Sequence, residues 1–149
     1  MKLTVTHNGK LIGKRTTDRV YTHVVALTNF NADAFRKVWA DEWEKFGIDN
    51  AKGGHRHAGN ARLTTYKYAS VVSDAERAKY ERIHATPLDQ YIEEQRVAHF
   101  ARVEKSVVDL QTKGDFVQSF AGRLDLAMKA CKPHPYYTAI VLPVDQKSA

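Results

Sequence analysis

This sequence has little cysteine and no long apolar run, and each absence excludes a class of protein. Cys131 is the only cysteine among 149 residues, so no internal disulfide can form. No apolar stretch approaches the roughly 20 residues that a membrane-spanning helix needs. The first residues also lack the apolar segment of a secretory signal peptide. We therefore expect a protein without membrane contact that works in the reduced setting of the cytoplasm.

The sequence also lacks motifs that would fix a reaction or a cofactor. It contains no glycine-rich phosphate loop, no cysteine pair and no His-Glu helix motif. His55 and His57 offer two imidazoles to a metal ion, with His23 or His134 as a third ligand. A zinc site, however, needs three or four converging ligands. We predict neither a bound metal nor a cofactor.

Basic residues outnumber acidic ones in this chain. The 23 Lys and Arg against 17 Asp and Glu give a formal net charge of +6. Such a balance favours anionic partners, either nucleic acid or an acidic protein surface. The charge is not gathered into one run, so a solvated surface that serves solubility is the alternative. The length is that of one domain with a self-sufficient core.

Both ends of the chain have the composition of strands and turns. Residues 2–6 and 10–16 flank Asn8-Gly9, a dipeptide that supplies the positive φ angles of a tight hairpin turn. Residues 19–27 are rich in β-branched and aromatic side chains, as strands are. Residues 116–120 and 136–144 are further apolar strand runs, separated by a predicted short helix at 123–132. Residues 145–149 are predicted to be a frayed tail.

The middle of the chain has helical patterns. Asn31 caps a predicted helix that ends at Gly47. Residues 48–60 contain three glycines and no apolar period, which predicts a loop, and residues 62–72 are a candidate strand. Ser73 opens a capping box before a helix at 74–84, and Thr86 caps a further helix that reaches Lys113. In the helix that Asn31 caps, apolar residues recur at steps of three and four and so share one face: Phe35, Val38, Trp39, Trp43 and Phe46.

The fold class follows from where these patterns lie. Apolar strand runs at both ends indicate that the termini meet in one sheet, with the helices inserted between them. We predict a single α+β domain over residues 1–149. Its small, mostly antiparallel sheet comes from both chain ends, and residues 73–113 form a helical insertion.

Basic side chains are the candidate contacts to an anionic partner. Arg96, Arg102 and Lys105 lie along the long helix at multiples of three residues, where acidic residues are interspersed. An exposed helix with local ion pairs is therefore the alternative. Arg56, in the predicted loop, and Arg123, in the turn after Gly122, complete the set that we predict to bind nucleic acid or a protein partner.

A small pocket beside two strand ends is the enzymatic alternative. Gly122 followed by Arg123 at a helix start exposes backbone amides beside a guanidinium, which suits an anion. His23 would act as general acid or base on a phosphorylated or carboxylate substrate. Tyr21, on the same strand face, would donate a hydrogen bond. The competing interpretation is that His23 and Arg123 satisfy polar groups and join the strand ends.

Two short motifs resemble those of a loose group of small uncharacterised phage and plasmid proteins. One is the strand motif Tyr21-Thr22-His23, and the other is the turn and helix start Gly122-Arg123-Leu124-Asp125-Leu126-Ala127. Residues 30–114 lie outside the resemblance. It implies an accessory protein of a mobile element that acts against a host defence, without a cofactor, by blocking a surface.

The leading functional prediction combines the charge with this resemblance. We expect a non-enzymatic binding or inhibitor protein of phage or plasmid type that engages nucleic acid or a host nucleoprotein complex through a basic surface. Two alternatives stay open, the small enzyme described above and a purely protein–protein inhibitor without nucleic-acid contact. The sequence leaves the oligomeric state open.

Overall fold

The computed structural model describes residues 1–62 and 73–147. The candidate strand at 62–72 lies almost wholly outside the described residues. The elements follow the order β1 (Lys2–His7), β2 (Lys10–Thr16), β3 (His23–Thr28), α1 (Ala32–Glu42), a π-helical segment (Trp43–Gly47), α2 (Ile48–Ala61), α3 (Asp74–Ala85), α4 (Leu88–Lys113), β4 (Phe116–Ala121), α5 (Leu124–Ala130), β5 (Thr138–Pro143) and β6 (Asp145–Lys147).

The predicted single-domain α+β class is confirmed, with antiparallel strands from both chain ends and helices between them in sequence. The chain divides into two compact units. Unit 1 combines Met1–Arg36 with Ser106–Ala149, and unit 2 is Lys37–Lys105. Unit 1 carries eleven Lys and Arg against six Asp and Glu, whereas unit 2 carries twelve against eleven. Most of the net positive charge therefore belongs to unit 1.

The strands of unit 1 form two three-stranded sheets rather than the one sheet predicted. The first has the order β2-β1-β6 and the second β4-β3-β5, with antiparallel pairing throughout. The predicted hairpin turn is confirmed, since Asn8 and Gly9 have φ angles of 52° and 75°. The predicted frayed tail is wrong for residues 145–147, because they form a strand that pairs with the second edge of β1.

The core of unit 1 lies between these sheets and beneath α5. All residues of β3 from Val24 to Thr28 are buried, which is the pattern of a central strand covered on both faces. Leu3 and Val5 of β1 are fully buried as well. The two sheets come close at Gly13, where an added Cβ would lie 2.5 Å from Val117 Cγ2.

Unit 2 consists of helices, and its chain runs from α1 through the π-helical segment into α2 without a break. The predicted helix stop at Gly47 is wrong, since this residue has helical dihedral angles (φ −62°, ψ −43°). The ring of Trp43 lies directly against Gly47, at the place that a side chain would occupy. Gly47 therefore has a packing role, and its sequence signal does not mark the end of a helix.

The predicted loop at 48–60 is also wrong, because these residues form α2. Each glycine in a helix interior costs about 1 kcal/mol relative to alanine. Packing against α3 offsets that cost, with Ala51, Ala58 and Ala61 buried on the inner face of α2. Tertiary contacts have thus overridden a low local propensity.

The remaining helices begin close to their predicted positions. The predicted cap of α3 is confirmed, since the amide of Glu76 donates to Ser73 Oγ over 3.2 Å. Thr86 differs from the prediction, because its hydroxyl donates back to the carbonyl of Arg82 and its amide closes the end of α3. It therefore ends one helix, and α4 begins at Leu88.

Candidate functional site

One face of α2 forms a cavity of about 430 Å³ with the ends of α3 and α4. Each charged side chain that lines it is cationic, and two histidines lie beside these cations. We call Lys52, His55, Arg56 and His84 the histidine–cation cluster; the other lining residues are Gly59, Asn60 and Leu88.

Helix geometry and one glycine place the members of this cluster. Lys52 and Arg56 are four residues apart, so both lie on one side of α2. His55 Nε2 donates to the carbonyl of Thr86 over 2.7 Å and ties α2 to the end of α3. His84 comes close to α2 because Gly59 has no side chain: an added Cβ there would lie 2.9 Å from His84 Nδ1.

The electrostatics of the cluster favour an anion. Like charges at positions i and i+4 of a helix destabilise it by about 0.2–0.5 kcal/mol. Lys52 and Arg56 are both exposed and are adjacent to His84, which is exposed too. A phosphate or carboxylate between them would relieve the repulsion and receive charge-assisted hydrogen bonds.

Unit 2 also carries an aromatic cavity of about 280 Å³, lined by α1, the π-helical segment, α2 and α4. Trp43 forms its buried floor, while Phe46 is 53% and Trp39 is 37% exposed. We call this the aromatic cavity; its polar and aromatic lining includes Glu42, Asn50, Tyr91, Gln95, His99 and Arg102.

His99 fixes the position of α4 against α1 at this cavity. Its Nε2 donates to the carbonyl of Trp39 over 2.9 Å. Its ring lies 5.4 Å from that of Trp43, measured between centroids. The π-helical segment supplies Trp43, Phe46 and Gly47 to the lining. Such segments are rare and are frequent at functional sites.

The predicted partner-binding residues fall into different surroundings. Arg56 belongs to the histidine–cation cluster, and Arg102 lines the aromatic cavity. Arg96 donates to both carboxylate oxygens of Glu93, over 2.9 and 2.7 Å. These hydrogen bonds hold the pKa of Glu93 below its ordinary value. The charge of Arg96 is thus partly offset locally, while Lys105 is exposed on α4.

The residues of the enzymatic alternative lie in unit 1. His23 is half-buried on β3 and is hydrogen-bonded to Thr22 Oγ1 over 2.8 Å. Arg123 precedes α5 and pairs with Asp125, and both side chains are about 70% exposed. Within residues 1–62 and 73–147, no hydrogen bond or ion pair joins His23 to Arg123. The shared pocket stays a prediction.

The ring of Tyr21 contacts an aromatic ring and a cation from other parts of unit 1. Its ring lies 5.5 Å from that of Phe120, and the guanidinium of Arg15 lies over both rings at 5.0 and 5.3 Å. Arg15 also lines a shallow cationic cavity of about 410 Å³ on the N-terminal hairpin, together with Lys2 and Lys14. This is a second basic surface, separate in sequence from the histidine–cation cluster.

The histidines considered as metal ligands face different neighbours. His55 donates to Thr86, whereas the ring of His57 lies edge-on to that of Tyr80 at 5.7 Å. His134 Nδ1 accepts from the amide of Tyr136. In the described part of the chain, no group of three or more His, Cys, Asp or Glu side chains is placed to hold a metal ion.

Sequence analysis missed the cluster and the aromatic cavity because both depend on α2. With residues 48–60 interpreted as a loop, nothing placed Lys52 beside His84 or Asn50 beside Trp43. The spacing of Lys52 and Arg56, together with the buried alanines 51 and 58, was the signal that could have indicated a helix.

Comparison with known proteins gives no relative. No protein-family model, curated protein or solved structure matches this chain. Of the helices within the described residues, none is long and apolar enough to cross a membrane.

Proposed function

We propose that the protein is a non-enzymatic nucleic-acid-binding protein whose histidine–cation cluster contacts the phosphate backbone. The observation that carries the proposal is the convergence of Lys52, Arg56 and two histidines in one cavity whose charged lining is entirely cationic. Phosphate contacts from such side chains supply much of the affinity of nucleic-acid binding and fix its position. The basic hairpin of unit 1, with Lys2, Lys14 and Arg15, is a further surface for the same backbone.

The mobile-element origin and an action against a host defence are part of the same proposal. They rest on the two motifs at the chain ends. A protein that covers a nucleic acid can block a host complex without doing chemistry, which agrees with a cationic site that lacks an evident nucleophile. The enzymatic alternative at His23 and Arg123 has less support, because Arg123 is engaged by Asp125.

Fluorescence anisotropy with labelled single-stranded and duplex oligonucleotides at two salt concentrations tests the proposal. Replacing Lys52 and Arg56 together by alanine should weaken binding to all sequences. For each phosphate that the variant no longer neutralises, the salt slope should become shallower by about 0.7 on single strands and about 0.9 on duplex DNA. Lys45→Ala combined with Lys79→Ala is the control, since it removes the same two charges from exposed positions in the same unit that do not line the cavity.

Three outcomes would contradict parts of this proposal. If the Lys45→Ala and Lys79→Ala double variant weakens binding as much as the Lys52 and Arg56 variant, only net charge matters and the cluster is not the site. If only a Lys2→Ala and Lys14→Ala double variant is defective, the interface lies on the hairpin of unit 1. If no oligonucleotide binds while a host protein co-purifies, the protein is an inhibitor of that protein instead.

A further inference from the structure

We infer that the aromatic cavity binds a single unstacked nucleobase, so that the nucleic acid recognised by this protein is single-stranded. This inference deepens the proposed function and rests on it. It assigns a ligand to a second site, on a different face of α2 from the histidine–cation cluster. Asn50 and Ala51 line the aromatic cavity, whereas Lys52 and Arg56 line the cluster.

The first argument is the combination of flat surfaces that remain accessible. Phe46 is 53% and Trp39 is 37% exposed, and both belong to the wall of a concave site. Large aromatic side chains normally contribute to the core, where they bury about 150–250 Å² each. Bases of single strands stack on such rings, because every base has a π face.

The second argument is the set of polar groups beside these rings. Asn50 and Gln95 carry side-chain amides, each with a donor and an acceptor, and both line the cavity. Arg102 adds a planar guanidinium and Glu42 adds an acceptor. Exposed base edges present donors and acceptors, and proteins recognise them through hydrogen bonds and stacking of this kind. A purely apolar ligand would form no hydrogen bonds with these groups.

The third argument is size. Sites for small molecules usually enclose about 300–1,000 Å³, and this cavity, at about 280 Å³, lies just below that range. It therefore suits one heterocycle rather than a dinucleotide cofactor. A base held in a double helix is stacked on both sides and must first be unpaired and extruded, which costs a few kcal/mol. A single strand offers its bases without that cost, so it is the ligand that the cavity favours.

The π-helical segment gives the site its shape. It places Phe46 in the cavity wall and lets the Trp43 ring lie against Gly47. An uninterrupted α-helix would turn residues after 43 by a different amount and direct Phe46 elsewhere. The local departure from α-helical geometry is thus what assembles the stacking surface.

Nucleosides test the cavity without involving phosphate. Trp39 and Trp43 are the only two tryptophans, so the protein has two indole N–H signals in a ¹H–¹⁵N spectrum. Adenosine and thymidine should shift at least one of these signals in a saturable way, and Phe46→Ala should reduce the apparent affinity. Val97→Ala is the matched control, because Val97 is 56% exposed on α4 and does not line the cavity.

Oligonucleotides separate this inference from the proposed function. A single strand with bases should bind more tightly than an abasic oligonucleotide of the same length by about 5- to 150-fold, the equivalent of about 1–3 kcal/mol of stacking. Trp39→Ala and Phe46→Ala should remove this difference and leave abasic binding unchanged. The Lys52 and Arg56 variant should instead weaken both ligands equally.

The outcomes are distinguishable. Nucleosides that shift neither indole signal, or equal affinity for abasic and base-bearing strands, would refute the base site while phosphate binding stands. Binding of nucleosides without binding of abasic strands would refute the phosphate proposal and keep the base site. If N-acetyl-tyrosinamide shifts the same signals at the same concentration, the cavity accepts a protein side chain and our assignment of a base is wrong.

Discussion

Replacing Gly47 by alanine should leave unit 2 no more stable or destabilise it, although alanine is the better helix former. An added Cβ at this position would lie 2.5 Å from Trp43 Cδ2 and 2.8 Å from Trp43 Cζ3. Real side chains do not tolerate such contacts, and Trp43 is only 8% exposed. The indole ring must therefore move out of its buried position or the helix must shift.

The magnitude follows from a comparison with Gly53, where an added Cβ would meet nothing within 4 Å. Gly53→Ala should raise the free energy of unfolding by about 1 kcal/mol, the propensity difference in a helix interior. Gly47→Ala gains a similar amount but adds an overpacking cost of about 1–3 kcal/mol. If the ring leaves its site altogether, the cost rises towards the ~3–5 kcal/mol of losing a buried tryptophan. The two variants should thus differ by at least about 1 kcal/mol.

Urea unfolding followed by tryptophan fluorescence measures this difference, because both tryptophans lie in unit 2. In a Trp43→Leu background the clashing ring is absent, so Gly47→Ala should no longer lower the free energy of unfolding. Circular dichroism can follow unfolding in this background, where Trp43 is missing. If Gly47→Ala proves as stabilising as Gly53→Ala, the contact between Trp43 and Gly47 does not exist in solution. The description of the aromatic cavity would then fail with it.

Three further predictions concern stability. Gly13→Ala should lower the free energy of unfolding by about 1–3 kcal/mol, because the new Cβ would meet Val117 between the two sheets, and Val117→Ala should suppress this loss in a double-mutant cycle. Tyr137→Phe should leave stability equal or raise it by up to about 1 kcal/mol, since the buried hydroxyl of Tyr137 has no hydrogen-bond partner among the described residues. Burial also raises the pKa of Tyr137 above its ordinary value near 10. The unfolded chain therefore loses this proton first, and stability that is fully present below pH 10 should fall as the pH rises further. Tyr137→Phe should reduce that alkaline loss of stability in thermal melts. Ser73→Ala should cost about 1 kcal/mol by thermal denaturation while Ser73→Asp costs much less, because an aspartate can accept from the Glu76 amide as the serine does; equal losses in both variants would argue against the cap.

Strands and helix starts were predictable because their signals are local. The Asn8-Gly9 turn needs positive φ at two adjacent residues, and few dipeptides supply it. Ser73 and Glu76 have the spacing at which a side chain reaches a free amide. The division of the strands into two sheets was not predictable, since it depends on which edge of β1 receives residues 145–147. Pairing between the two ends of the chain leaves no local pattern.

Both candidate sites depend on α2, a helix that the glycine pattern did not predict. Three glycines between residues 53 and 59 predict a loop, and glycine does lower helix propensity. In α2, however, Gly59 admits the ring of His84, and the Trp43 ring occupies the space above Gly47 just before the helix. The glycines that weaken the helix locally are thus the residues that let other side chains approach it. Because Lys52 and Arg56 lie on one face of α2 and Asn50 and Ala51 on another, formation of this helix sets both the histidine–cation cluster and one wall of the aromatic cavity. A ligand that fills both must present phosphate and an unstacked base to the same helix, which a single strand does without breaking a base pair and a double helix does only by extruding a base.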